Sequence, residues 1–96
     1  MALLTANIAL TGAAQQLSAT HLPVTFVRFD NPTSNADIKV GDNTLTTTNY
    51  GFIVEDGPTA NKDLGPYGGG TSPINLQHVY VLGTISQVLH ITYITL

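Results

Sequence analysis

Apolar and polar residues alternate from Leu4 to Leu10, with Leu4, Ala6, Ile8 and Leu10 on one side and Thr5, Asn7 and Ala9 on the other. That period of two predicts a strand or an extended arm. Ala13-Ala14-Gln15-Gln16-Leu17, between Gly12 and Ser18-Ala19-Thr20, fits a helical turn or a short strand equally well. From Leu22 to Phe29 β-branched and aromatic residues dominate, with Val24 and Phe26 on one face and Val27 and Phe29 on the other. A strand covered on both sides is expected there. Asp30-Asn31-Pro32-Thr33-Ser34-Asn35 ends it, because Asn and Asp side chains bond nearby backbone and proline fixes its own φ.

Ile38-Lys39-Val40 alternates and stops at Gly41-Asp42-Asn43, and Thr44 to Thr48 offers a second strand, so a hairpin is expected before Asn49-Tyr50-Gly51. Phe52-Ile53-Val54 follows and ends at Glu55-Asp56-Gly57-Pro58. Gly57 to Pro73 contains Gly65, Pro66, Gly68, Gly69 and Gly70 with no sustained apolar period, which predicts a long glycine-rich loop. Ile74 to Leu82, a turn at Gly83-Thr84, and Val88 to Leu96 return to strand pattern. The expected fold is therefore all-β: a small antiparallel β-sandwich or jelly roll of seven or eight short strands in a single domain over residues 1–96, with 1–20 as an N-terminal arm or edge strand.

Length changes the picture first, since 96 residues hold one small core and a multidomain enzyme is not expected. Charged residues make up 9% of the chain, against about 25% in ordinary soluble domains. Much of the surface must then be uncharged Thr, Asn, Gln, Ser and Gly, which suits contact with another protein. Three Lys and Arg against six Asp and Glu give a net charge of −3, so the basic footprint of a nucleic-acid binder is missing. With no cysteine, neither disulfides nor thiolate metal sites can staple so small a domain, and self-association is expected to complete its core. No apolar run reaches membrane-spanning length, and Met1 to Leu10 lacks the basic start of a signal peptide. Asn31-Pro32-Thr33 carries the proline that forbids N-glycosylation.

Candidate chemistry is sparse. His21, His78 and His90 are the groups suited to acid–base or metal chemistry near neutral pH. If Val79 to Leu82 pairs with Val88 to Ile91 across Gly83, His78 and His90 emerge on one face of adjacent strands, and a histidine on a trimer axis would be repeated three times. The ordinary reading is that both are polar interface or surface residues, and no metal or cofactor is expected. Ser18, Ser34, Ser72 and Ser86 lie in turn or loop contexts without a nucleophile elbow, so no catalytic residue is assigned. Asp30, Asp37, Asp42, Glu55, Asp56 and Asp63 fall in expected turns, without the ligand spacing of a calcium loop. Gly68-Gly69-Gly70 lacks the Lys-Ser/Thr pair and helix of a phosphate-binding loop. Tyr50, Phe52, Tyr80 and Tyr93 are expected to pack, while Tyr67, on the glycine loop, suits an interface anchor. Candidate interface residues are Leu4, Ile8, Leu10, Tyr67, His78 and His90.

The order of Asn7-Ile8-Ala9-Leu10-Thr11-Gly12 with Gln15-Gln16-Leu17-Ser18, Phe29-Asp30-Asn31-Pro32, Ile38-Lys39-Val40-Gly41-Asp42, Thr47-Thr48-Asn49-Tyr50-Gly51, Asn75-Leu76, Val79-Tyr80-Val81, Gly83-Thr84 and Ile91-Thr92-Tyr93-Ile94 resembles small tailed-phage virion proteins, especially head decoration or cement proteins. The resemblance spans nearly the whole chain, although each motif is only a strand edge plus a turn. It implies a β-sandwich or jelly-roll module, often trimeric, that sits on the assembled capsid and bridges neighbouring major capsid subunits. It also implies a location on the virion surface after synthesis in the host cytoplasm, with no small-molecule substrate. Gly57 to Pro73 departs from the short turn that many such proteins have. The rival readings are a head-fibre or tail-associated adaptor, a receptor- or carbohydrate-binding β-module with Tyr67 as its platform, and, more remotely, a small β-sandwich enzyme.

Overall fold

The computed structural model describes residues 2–31, 36–55, 61–65 and 74–95. Among them are nine strands and one 3₁₀ turn: β1 (Leu3–Ala9), β2 (Gln15–Gln16), β3 (Pro23–Asp30), β4 (Ile38–Gly41), β5 (Phe52–Val54), β6 (Asn61–Leu64), β7 (Ile74–Asn75), the turn Leu76–His78, β8 (Tyr80–Leu82) and β9 (Val88–Thr95). The strands pair antiparallel in two sheets. The larger runs β1-β9-β3-β6, with β7 also on β3, and the smaller runs β2-β8-β4-β5. The expected all-β architecture is present, with more and shorter strands than the sequence pattern suggests.

One core joins the sheets. Val24, Val27, Phe29, Leu89 and Ile91 of the larger sheet cluster with Ile38, Val40, Val54 and Val81 of the smaller. Phe29 meets Phe52 edge to face across the layers, ring centres 5.7 Å apart and planes at 74°. Strand β3 is not covered on both sides as its composition suggests. A register shift between Val24 and Phe26 against β9 lets Val24, Val27 and Phe29 all point inward. Phe26 is left half-buried on the outer face, with the Arg28 guanidinium 5.9 Å from its ring centre.

The chain changes sheet at Leu10, at Asn31–Ala36, after Val54 and at Gly83–Gln87, and these crossings meet at two buried carboxamides. Gln87 Nε2 donates to Asn31 Oδ1 at 3.0 Å and to the Ala36 carbonyl at 2.7 Å. Its Oε1 accepts from the Thr84 amide at 3.0 Å. Asn31 Nδ2 donates to the carbonyls of Ala36 at 2.9 Å and Val54 at 3.4 Å. The backbone completes the knot, the Leu10 amide donating to the Gln87 carbonyl at 2.9 Å. Gly83 is required beside it, because a Cβ there would overlap Leu10 and come within 2.9 Å of Gln87 Oε1. The turn between Gly83 and Gln87 holds Ser86 at φ 72°, a left-handed conformation unfavourable for a side chain.

Asn75 does similar work for the 17–22 and 74–80 connections. Its Oδ1 accepts from the Leu22 amide at 3.0 Å and the Gln77 amide at 3.1 Å. That orients its amino group to His21 Nδ1, 2.9 Å away. This cap breaks the stretch expected to run as one strand from Ile74 to Leu82 into β7, a 3₁₀ turn and β8.

Other expectations are corrected by long-range pairing. Thr44 to Thr48 is not a strand. The Asp42 carboxylate accepts from the Thr44 amide and hydroxyl, and Thr46 Oγ1 accepts from the amides of Thr48 and Asn49, closing the segment into turns. The hairpin partner of β4 is therefore β5. Strand β6 lies inside the segment expected as a glycine-rich loop, and Asp63 stands on a strand instead of in a turn. Its sequence, Asn-Lys-Asp-Leu, has only Leu64 to pack inward, so pairing with β3 makes the strand where hydrophobic period does not.

Replacing Gln87 by Leu keeps the volume but removes the bonds to Asn31 Oδ1 and the Ala36 carbonyl and takes from the Thr84 amide its acceptor. We expect a loss of roughly 2–3 kcal/mol in urea unfolding, the cost of burying such groups without partners. Gln87→Glu, which retains acceptors but loses the donor, should not restore it.

Candidate functional site

Strand β1 is the outer strand of the larger sheet and pairs with β9 through seven consecutive partners, Leu3 with Ile94 through Ala9 with Val88. Its other edge faces outward. The start of the strand is pinned by the Thr95 amide donating to the Ala2 carbonyl at 2.9 Å and the Ala2 amide donating to Thr95 Oγ1 at 3.0 Å. Residues 2–10 are therefore an edge strand, not a loose arm. The strand carries no charge, proline or bulge, which are the usual devices that discourage pairing with another chain. The remaining edges differ: β6 bears Lys62 and Asp63, and β2 and β5 are two and three residues long. Among the described residues, β1 is the long uncharged edge.

The outward face of the same sheet is laid out in rows by register. Leu3, Ile94 and Phe26 form an apolar row; Thr5, Thr92, Arg28 and Asp63 form the next; Asn7, His90, Asp30 and Asn61 form the third. Leu3 is 68% exposed and Leu4, on the opposite face of β1, is 42% exposed. These large aliphatic side chains at the open end of a neutral edge make a surface suited to burial against protein.

Arg28 and Asp63 form a two-point ion pair between β3 and β6, Nε to Oδ1 at 2.7 Å and Nη2 to Oδ2 at 3.0 Å. The bonds from Arg28 hold the Asp63 carboxyl below the usual carboxylate range, and those to Asp63 raise Arg28. Asp42 is likewise lowered, by its bonds from Thr44. Both pairs are solvent-facing, so they set local geometry more than stability.

The candidate interface residues separate. Leu4 is exposed at the edge; Ile8 is half-buried and packs on the core; Leu10 is 3% exposed and belongs to the core itself, so it cannot meet a partner. The alternation of β1 simply continues into the first crossing between sheets. Strands β8 and β9 lie in different sheets, so His78 and His90 do not share a face. His78 ends the 3₁₀ turn, whereas His90 stands exposed between Asn7 and Asp30 on the outward face of the larger sheet. Gly83–Gln87 is a crossing between sheets and not a hairpin, which removes the two-histidine site. Tyr67 and most of Gly57 to Pro73 lie outside the described residues.

Among the described residues no group of three His, Asp or Glu side chains is placed to hold a metal ion. Asp63, one of the carboxylates expected in turns, is paired with Arg28. No helix of the described residues is long and apolar enough to cross a membrane. Asn31, expected only as a turn residue, and Gln87, which no pattern in the sequence marks, are buried and organise the core without facing a site. Comparison with protein-family models, curated proteins and solved structures yields no match.

In a carboxyl-detected NMR titration Asp63 should have its midpoint below that of an ordinary aspartate, and Arg28→Ala should move it back up. Because the folded value is lowered, the stabilisation is present above the unfolded aspartate pKa and is lost as pH falls through the folded one. An unchanged Asp63 midpoint in Arg28→Ala would contradict the pair's role.

Proposed function

We propose that this chain is a structural protein of a tailed-phage virion, a head decoration or cement protein that binds the assembled capsid as a homotrimer and bridges neighbouring major capsid subunits. The observation that carries the reading is the strand order. Apart from the β4–β5 hairpin and the neighbouring β6 and β7, successive strands alternate between sheets, and the orders β1-β9-β3-β6 and β2-β8-β4-β5 fit a chain wound as a jelly roll, with β7 as an addition. This winding recurs in viral capsid domains, and the sequence resemblance to decoration proteins supports the same class. Because winding alone does not make a function, the surface must supply the rest. The neutral β1 edge and its exposed Leu3 and Leu4 provide a contact of the type a structural module needs.

In this reading β1 receives an extended segment of a neighbouring subunit, whose backbone satisfies the open edge while the apolar row at Leu3, Ile94 and Phe26 is covered. A protein that binds the assembled shell and not its dispersed subunits stabilises the shell by mass action, without chemistry. Three linked copies convert weak individual contacts into durable attachment. The chain has no enzymatic role in this account, and its working place is the outer capsid surface after synthesis in the host cytoplasm.

Light scattering after size exclusion should give a mass near three chains, unaffected by EDTA. The protein should co-sediment with emptied heads of the virus that encodes it and not with dissociated major capsid protein. Leu3→Lys with Thr5→Lys puts charge on the exposed edge strand. It should abolish one or both associations while leaving the far-ultraviolet CD spectrum and melting transition intact. A wild-type chain that neither associates nor binds heads would overturn the proposal.

A further inference from the structure

A hollow of about 410 Å³ opens at one end of the smaller sheet, away from β1, lined by Gln16, Asp42, Asn43, Gln77, His78 and Tyr80. Four separate elements bring these residues together. Gln16 and Tyr80 are register partners on β2 and β8, Tyr80 is the partner of Gly41 at the end of β4, Asp42-Asn43 follow directly, and Gln77-His78 close the 3₁₀ turn. The volume is within the range of small-molecule sites.

The hydrogen-bonding inventory of the hollow is neither spent nor strongly charged. Gln16 Nε2 donates to the Gln77 carbonyl at 3.1 Å and Gln77 Nε2 to the Ala19 carbonyl at 3.4 Å, which fixes both side chains and leaves their Oε1 atoms without a donor among the described residues. Asp42 is held by Thr44 through Oδ1 alone. The side chains of Asn43, His78 and Tyr80 make no hydrogen bond among the described residues. None of Arg28, Lys39 and Lys62 lines the hollow, so it lacks the cations that an anionic ligand would need.

We infer that this hollow is a binding site for a neutral saccharide unit. A sugar hydroxyl donates one hydrogen bond and accepts others, and a site mixing one carboxylate with three carboxamides, a phenol and an imidazole answers both needs. The ionised Asp42 beside Asn43 offers an acceptor next to a donor, as a pair of adjacent hydroxyls requires. The half-buried Tyr80 ring supplies apolar surface for the carbon–hydrogen face of the sugar ring. The preset positions of Gln16, Gln77 and Asp42 lower the ordering cost on binding. A single sugar on so open a site should bind weakly, on the order of millimolar, and a surface bearing many such sugars should be held more firmly by an oligomer.

The test is a ¹H–¹⁵N NMR titration of the full chain with methyl glucoside, methyl galactoside, N-acetylglucosamine, maltose and lactose, with sodium phosphate and calcium chloride as separate controls. At least one sugar should shift the side-chain amides of Gln16, Asn43 and Gln77 and the backbone around Asp42 and Tyr80, and leave β1 still. Asn43→Ala, at an exposed position with no structural bond, and Asp42→Ala should each weaken that sugar about tenfold or more. Since Asp42 also holds the turn through Thr44, the Asn43 variant separates loss of binding from loss of loop shape. Absence of shifts with all five sugars, shifts only with phosphate or calcium, or sugar shifts indifferent to Asn43→Ala would overturn the inference. Each readout is independent of shell binding.

Discussion

Asn31 and Gln87 are buried where the chain passes from sheet to sheet, and the pairing of their carboxamides is the constraint from which the rest of the architecture follows. Each crossing leaves backbone donors and acceptors that no strand ladder can satisfy, and burying them unpaired would cost more than a small core can offset. Two amide side chains, each with donor and acceptor atoms, serve Ala36, Val54 and Thr84 together. This lets two sheets of short strands close over one apolar core without a disulfide. Gly83 allows Leu10 and Gln87 to approach, and Asn75 organises the 17–22 and 74–80 connections.

With its crossings secured in this way, the molecule has unused bonding capacity elsewhere. The smaller sheet has edges of two and three residues, and β6 is marked by charge, but β1 offers an open backbone edge seven uncharged residues long. Its contacts with β9 fill one side only. The edge is consequently the surface where association gains backbone hydrogen bonds and apolar burial together, a combination that suits a module whose work is holding other proteins in place. The polar hollow beside Tyr80 is separate from it in both position and chemistry.

The strands with apolar inner faces were legible in the residues: Leu4 to Leu10, Leu22 to Phe29, Ile38 to Val40, Phe52 to Val54 and Val88 onward all hold strands. Period alone could not show which strands pair. It made β8 and β9 look like a hairpin, because nothing local distinguishes the turn at Gly83 from a crossing between layers. Thr44 to Thr48 looked like a strand because threonine favours sheets, yet its hydroxyls and the Asp42 carboxylate bond the local backbone more readily. The reverse held at β6, whose polar sequence hides a strand made by its partner. Leu10 followed the alternation of an interface edge into the core, and the amides of Asn31 and Gln87 resembled surface residues until the crossings converged on them. The hollow depends on four elements meeting, which no motif announces.

The most direct measurement of the proposed function is hydrogen–deuterium exchange read by mass spectrometry on the chain alone and on the chain mixed with emptied heads of the phage that the proposal assigns it to. The account predicts that peptides covering Leu3 to Ala9 gain protection on the shell, as the open edge acquires backbone partners, while the core peptides around Val81 and Leu89 exchange equally slowly in both states. Bound protein whose β1 peptides exchange as fast as in the free chain would contradict the assignment of β1 as the surface through which the protein is built into the particle.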